Sequence, residues 1–186
     1  MHTHGGLGTG LCPIPTVMSP GGALRRKIEV KTGEFSAAGG ACLLLTRGVG
    51  SCVVACLWDS GQKVGGMAHV PQPCSDPTEW EATIRPGLFA DTALAGLFRL
   101  MQARGARRER VSVRLAGAGN MFAGIDGGFM GDIATGVLEG VNAAVRSLGL
   151  FVAARSVGGM YGRSVFFNVA TGLIEVRLTN GEHVAL

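Results

Sequence analysis

Charge is scarce in this chain. Only 16% of its 186 residues are Asp, Glu, Lys or Arg, and the net charge is a mild +4. That balance gives no reason to invoke nucleic acid. The arginines of RLMQARGARRERVSVR, residues 99 to 114, lack the interleaved aromatics on which single-strand binders stack bases. Such a run reads as a solvated helix end and loop. No apolar stretch approaches the ~18–20 residues of a membrane helix, so membrane insertion is not expected. The five cysteines, at 12, 42, 52, 56 and 74, are an odd count. The N-terminus also lacks the basic start and apolar core of an export signal. A disulfide framework is therefore not expected, and a cytoplasmic protein with reduced thiols is.

Glycine and apolar residues are abundant, with 31 glycines and 47% hydrophobic content. This predicts a turn-rich fold of short elements around a sizeable core. Residues 1–25, rich in Gly, Pro and Thr, read as a flexible leader ahead of one domain, 26–186. His2 and His4 in it are assigned no role.

Alternation and turn residues predict a short strand ending in a turn at KIEVKTGEF (27 to 35), a second short apolar run at CLLLT (42 to 46), and strands at SCVVACLWD (51 to 59) and KVGGMAHV (63 to 70). RGVG before Cys52 and DSGQ after Trp58 read as turns, so 51 to 70 forms a hairpin. The proline-rich 71 to 87 reads as a loop. Leu94, Leu97, Phe98 and Met101 mark one face of a helix over 90–104. Val111, Val113 and Leu115 alternate as a strand, and 116 to 131 is glycine-rich and irregular. A second helix is expected over 132–148, from the stripe Ile133, Val137, Val141, Ala144, Val145 and Leu148. The strand LFVAARSV follows, then the tight loop GGMYGR. SVFFNV and LIEVRL pair as a hairpin, and Asn180-Gly181 is a turn. The expected class is α+β: a layered α/β/β sandwich with mixed, largely antiparallel sheets and two main helices on one side.

Several motifs fail. GAGNMF (117 to 122) has Phe122 where a dinucleotide loop needs its third glycine. No phosphate-binding loop, serine elbow or Cys-x-x-Cys pair is present. Cys52, Cys56, His69 and Cys74 suggest a zinc site, but four residues of strand hold Cys52 and Cys56 roughly 13 Å apart, too far to share an ion. No metal is expected.

The remaining question is whether Cys52 is a nucleophile or core filler. A free thiol is mostly protonated near neutral pH and needs a base, usually histidine. It also needs N–H donors for the oxyanion, and the turn Gly48-Val49-Gly50-Ser51 supplies candidates. Of the four histidines only His69 lies in the folded part close to Cys52, because the hairpin returns there. Spacing alone leaves both readings open. Cys42 and Cys56 read as core. Asp59 reads as a turn former, with orientation of His69 as its alternative use.

GVGSCVVACLWD followed by GGMAH resembles the signature of the CheD family, the chemoreceptor glutamine deamidases. FADTAL, RGARRERV, GAGNMF, VGGMYGRSVFF and TGLIEVR resemble its later landmarks in order. Met160 departs from the family pattern, which commonly has Asn there. The resemblance implies a Cys52–His69–Thr46 triad that deamidates glutamines of methyl-accepting chemotaxis receptors, without a cofactor. Ser51 and Gly50 are expected at the oxyanion site and Arg163 as a lining residue. The resemblance also implies a CheC-type phosphatase as partner; a monomer is expected. The arginine-rich run is a candidate contact for acidic receptor helices. The alternatives are a non-catalytic chemotaxis adaptor and a thiol hydrolase of small amides or esters.

Overall fold

The computed structural model describes residues 26–76, 80–121 and 129–186; the expected leader lies outside them. Among the described residues, ten strands form two five-stranded sheets. The first has the order β1 (Arg26–Glu29), β3 (Cys42–Val49), β8 (Arg163–Asn168), β9 (Ile174–Leu178) and β10 (His183–Ala185). The second has the order β2 (Phe35–Gly39), β5 (Val64–Val70), β4 (Val53–Asp59), β6 (Val111–Gly117) and β7 (Phe151–Val157). Each is antiparallel apart from one parallel pair, β1 with β3 and β6 with β7. Helices α2 (Ala90–Gln102) and α3 (Phe129–Ser147) both pack on the second sheet. The expected α/β/β layering and its mixed sheets are what the chain forms.

Alternation in β4 explains the layers. Val53, Ala55 and Leu57 point to the helices, where they meet Leu94, Leu97, Val137 and Val141. Val54 and Cys56 point the other way, to Leu44, Val165, Phe167 and Val176 of the first sheet. A strand buried on both faces carries an unbroken apolar run, as 53 to 57 does. The glycines of β5 have the same cause. A Cβ on Gly65 would lie 2.7 Å from the Phe167 ring, and one on Gly66 would lie 2.6 Å from Leu97. Each glycine lets a large side chain from one layer reach the sheet. Gly66→Val is expected to overpack the helix layer and cost about 1–3 kcal/mol. A urea midpoint equal to wild type would count against this account.

The structure departs from the sequence reading at several edges. KIEVKTGEF holds the expected short strand and turn, with β1 ending at Glu29 and the turn closing at Glu34, but FSAAG then continues as an unexpected strand, β2, against β5. Ala, Ser and Gly are weak strand formers, so β2 is set by pairing with the open edge of β5. β3 runs on through Arg47 and Gly48 to Val49, with a register irregularity after Thr46. β4 starts at Val53, which leaves Cys52 on the turn before it. A four-residue helix α1 (Glu81–Ile84) interrupts the 71 to 87 loop, α3 begins at Phe129, and β10 follows the Asn180-Gly181 turn.

Candidate functional site

The register of the hairpin brings the site together. Val53 pairs with Val70 and Val54 with His69, so Cys52 and His69 lie at the same end of neighbouring strands. Cys52, Val54 and Cys56 alternate onto the face that meets the first sheet, and Met67 and His69 share that face. From the first sheet, Thr46 on β3 and Arg163 on β8 enter the same layer at the same end.

His69 is fully buried. Its Nδ1 lies 2.8 Å from Thr46 Oγ1, a hydrogen bond between the two sheets. Its Nε2 faces Thr32 Oγ1 at 3.5 Å. Thr32, on the exposed turn between β1 and β2, was not singled out by sequence, because nothing local marks a contact made across the fold. It also lines an open cleft of about 520 Å³ between the 28–36 segment and Ile84–Gly87. Burial pulls His69 down to a pKa of about 4, so its imidazole is neutral at physiological pH and has a lone pair to offer.

Cys52 is half-buried, and burial pushes its thiol up, with its own backbone N–H pulling weakly the other way. No hydrogen bond joins its sulfur to the imidazole among the described residues, so the resting pair is a neutral thiol and a neutral ring. Cys56 is fully buried, and desolvation takes its thiol to about 12, against a smaller opposite effect of Arg114. It is core, as is the buried Cys42. The four candidate zinc ligands do not converge: among the described residues no three His, Cys, Asp or Glu side chains gather around a metal position.

The turn carrying Cys52 is laced to its neighbours. Ala118 N–H donates to Cys52 O and Gly119 N–H to Gly50 O, both at 2.8 Å. No backbone carbonyl among the described residues accepts from the N–H of Ser51 or Cys52. Gly117 has φ +119°, and a Cβ there would sit 2.2 Å from Cys52 O. Only glycine allows that approach. GAGNMF, which fails as a dinucleotide loop, thus has its first glycine against the peptide of Cys52. Arg163 is buried; its guanidinium donates to Tyr161 O at 3.0 Å and to Gly158 O, while its Nε has no partner among the described residues. It braces the 158–162 loop beside Gly119.

Position rules out one sequence idea and places another. Asp59 stands at the other end of β4, paired with Val64 and bound to Arg110, so it does not orient His69. The arginine run is centred on the 3-10 turn Arg108–Arg110, which precedes β6. It sits about 20 Å of strand away from the Cys52 end, and Arg110 is already committed to Asp59.

A family model described as CheD chemotactic sensory transduction matches residues 72–178. A chemoreceptor glutamine deamidase CheD from Thermotoga maritima is 35% identical over 157 residues, covering 83% of this chain and 94% of that protein. This chain belongs to the CheD family. Other CheD proteins agree. Probable chemoreceptor glutamine deamidases from Desulforamulus reducens and Anaeromyxobacter dehalogenans are 31% and 34% identical, covering 90% and 97% of those proteins. The Desulforamulus match spans 151 residues of this chain. A span of that length necessarily contains positions 46, 52 and 69, which the family-model match does not reach. Among the described residues, no helix is long and apolar enough to cross a membrane.

Proposed function

We propose that this CheD protein is a protein-glutamine deamidase acting on chemoreceptors, with Cys52 as nucleophile, His69 as base and Thr46 as the group that orients the base. The observation that carries the roles is the 2.8 Å contact of Thr46 with Nδ1, on the sheet face that also holds Cys52. With Nδ1 engaged, Nε2 is the nitrogen that serves the thiol.

In this mechanism Sγ attacks the carboxamide carbon and its proton passes to Nε2. The N–H groups of Ser51 and Cys52, on the turn that Gly50 opens, hold the oxyanion. Nε2 returns the proton to the leaving nitrogen, the C–N bond breaks and ammonia departs. Water then adds to the thioester with His69 taking its proton. Glutamate is released and the thiol regains its hydrogen. Thr46 fixes the ring in the manner of the third member of other triads, though a hydroxyl offers no charge to an imidazolium. Arg163 keeps the loops around the turn in place. A half-buried thiol on a turn whose Ser51 and Cys52 N–H groups meet no backbone carbonyl among the described residues favours catalysis over the adaptor reading, since docking needs neither.

Purified protein is expected to release ammonia from a chemoreceptor cytoplasmic domain, and Cys52→Ala to release none while keeping the wild-type melting curve. Free glutamine and small esters, turned over as well as the receptor, would instead select the small-amide hydrolase. No release by a folded wild type would select the adaptor.

A further inference from the structure

Three exposed apolar side chains stand at the end of the molecule that holds Cys52. Met121 is 45% exposed, Met160 59% and Tyr161 43%. Their two loops are fastened together. Asn120 N–H donates to Gly159 O at 2.8 Å, and Gly158 N–H to Gly117 O at 2.9 Å. From beneath, Arg163 donates to the carbonyls of Tyr161 and Gly158. These backbone groups are satisfied inward, while the apolar side chains face out.

Met121 joins this patch to the nucleophile's turn. A Cβ on Gly50 would lie 2.7 Å from its terminal methyl carbon, and one on Gly162 would lie 3.3 Å from its sulfur. Its thioether thus spans from Gly50, two residues before Cys52, to Gly162, next to Tyr161. Single exposed apolar residues are ordinary on a protein surface; here three stand on two loops tied together beside the turn of the thiol, which suits a contact surface.

We infer that Met121, Met160 and Tyr161 form the docking surface for the substrate segment, and that they select glutamines with an apolar side chain close by in the sequence. The inference rests on the deamidase reading and adds a rule for choosing the target. A backbone that delivers a carboxamide to Sγ has to pass over the rim of the Cys52 turn, and Met121 is part of that rim. The strip runs into the turn of Cys52, so a permanent partner seated on it would close the thiol. A substrate occupies it only during turnover. Two methionines suit such a surface, because their flexible thioethers adapt to different apolar neighbours. A charged neighbour would lose water there without gaining a partner.

The test uses the full chain and two peptides that differ at one position, leucine or aspartate three residues from a single glutamine. Wild type is expected to favour the leucine peptide at least tenfold in kcat/KM. The triple variant Met121→Gln, Met160→Gln, Tyr161→Ser is expected to lose that preference. Its KM for the receptor domain should rise at least tenfold, with the iodoacetamide reactivity of Cys52 unchanged. If the triple variant does not fold, Met160→Gln alone, the most exposed change, should shrink the preference. An active wild type without preference, or folded variants that keep it, would overturn the docking surface alone. A wild type that releases no ammonia from receptor or peptide would sink the deamidase reading and this inference with it.

Discussion

Replacing His69 with alanine is expected to slow ammonia release by about 10²–10⁴-fold, the usual contribution of a positioned base. Alkylation of Cys52 at strongly alkaline pH should remain, because the thiolate then forms without help. The pH dependence separates two versions of the mechanism. In an imidazolium–thiolate pair, Cys52 would already be ionised near neutrality and its alkylation rate would be flat there. Burial of both groups argues the opposite: the ring is held down to about 4 and the thiol is pushed up. Alkylation by iodoacetamide should therefore climb about tenfold per pH unit from 7 to above 8.5, the ordinary thiol value. The acid limb of kcat/KM should lie near 4, well below the ~6.5 of an ordinary histidine. A fast plateau of alkylation at pH 6–7 would establish the ion pair and overturn this version.

The same depressed pKa affects stability, with a defined sign. The unfolded state takes up a proton on His69 near pH 6.5, whereas the folded state resists until about 4. Stability from this residue is present above pH 6.5 and is lost as pH falls through that window. The loss is roughly 3 kcal/mol by proton linkage. Acid-limb rates therefore need short assays on freshly diluted protein.

How much of the site was legible in sequence follows from which contacts are local. Cys52 and His69 meet through a hairpin whose turn, Asp59 to Gln62, sits between two alternating runs, so their approach can be read from pattern alone. Thr46 reaches His69 from another sheet, and no periodicity reports a contact between sheets. Only resemblance to a family pointed to it. Thr32 stayed hidden for the same reason. Gly117 was visible as a glycine but not as a necessity, because its reason is the carbonyl of Cys52 on the neighbouring strand. β2 was missed because Phe-Ser-Ala-Ala-Gly carries little strand preference of its own and is made a strand by β5. The helices, by contrast, announced themselves through stripes that the second sheet buries as expected.

Asp59 is where the sequence offered two uses and the structure keeps one, and its replacement should have the largest effect on stability. Its carboxylate is fully buried and accepts from Gly61 N–H at 2.8 Å, Gln62 N–H at 3.0 Å and Arg107 N–H at 2.8 Å, and from the Arg110 guanidinium. Burial by itself would raise its pKa. The hydrogen bonds from Arg110 and the three amides outweigh that and hold it well below the usual carboxylate range. One side chain thus closes the β4–β5 turn and ties it to the entry of β6. Asp59→Ala leaves three amides and a guanidinium without their acceptor. The expected cost is about 2–4 kcal/mol, moderated because Arg110 reaches water, or a fall of about 10 °C in Tm for a chain of this size. A depressed carboxylate stabilises above its unfolded pKa of ~3.9 and ceases to as pH falls through its folded value. The gap between variant and wild type in urea should therefore be full at pH 7 and narrow below pH 4. Asp59→Asn, which keeps one acceptor oxygen without the charge, should fall between them. Because the residue lies at the end of β4 opposite Cys52, folded variant protein should keep wild-type kcat at low temperature. Equal urea midpoints at pH 7, or a kcat lost while the fold persists, would refute the assignment of Asp59 to the scaffold.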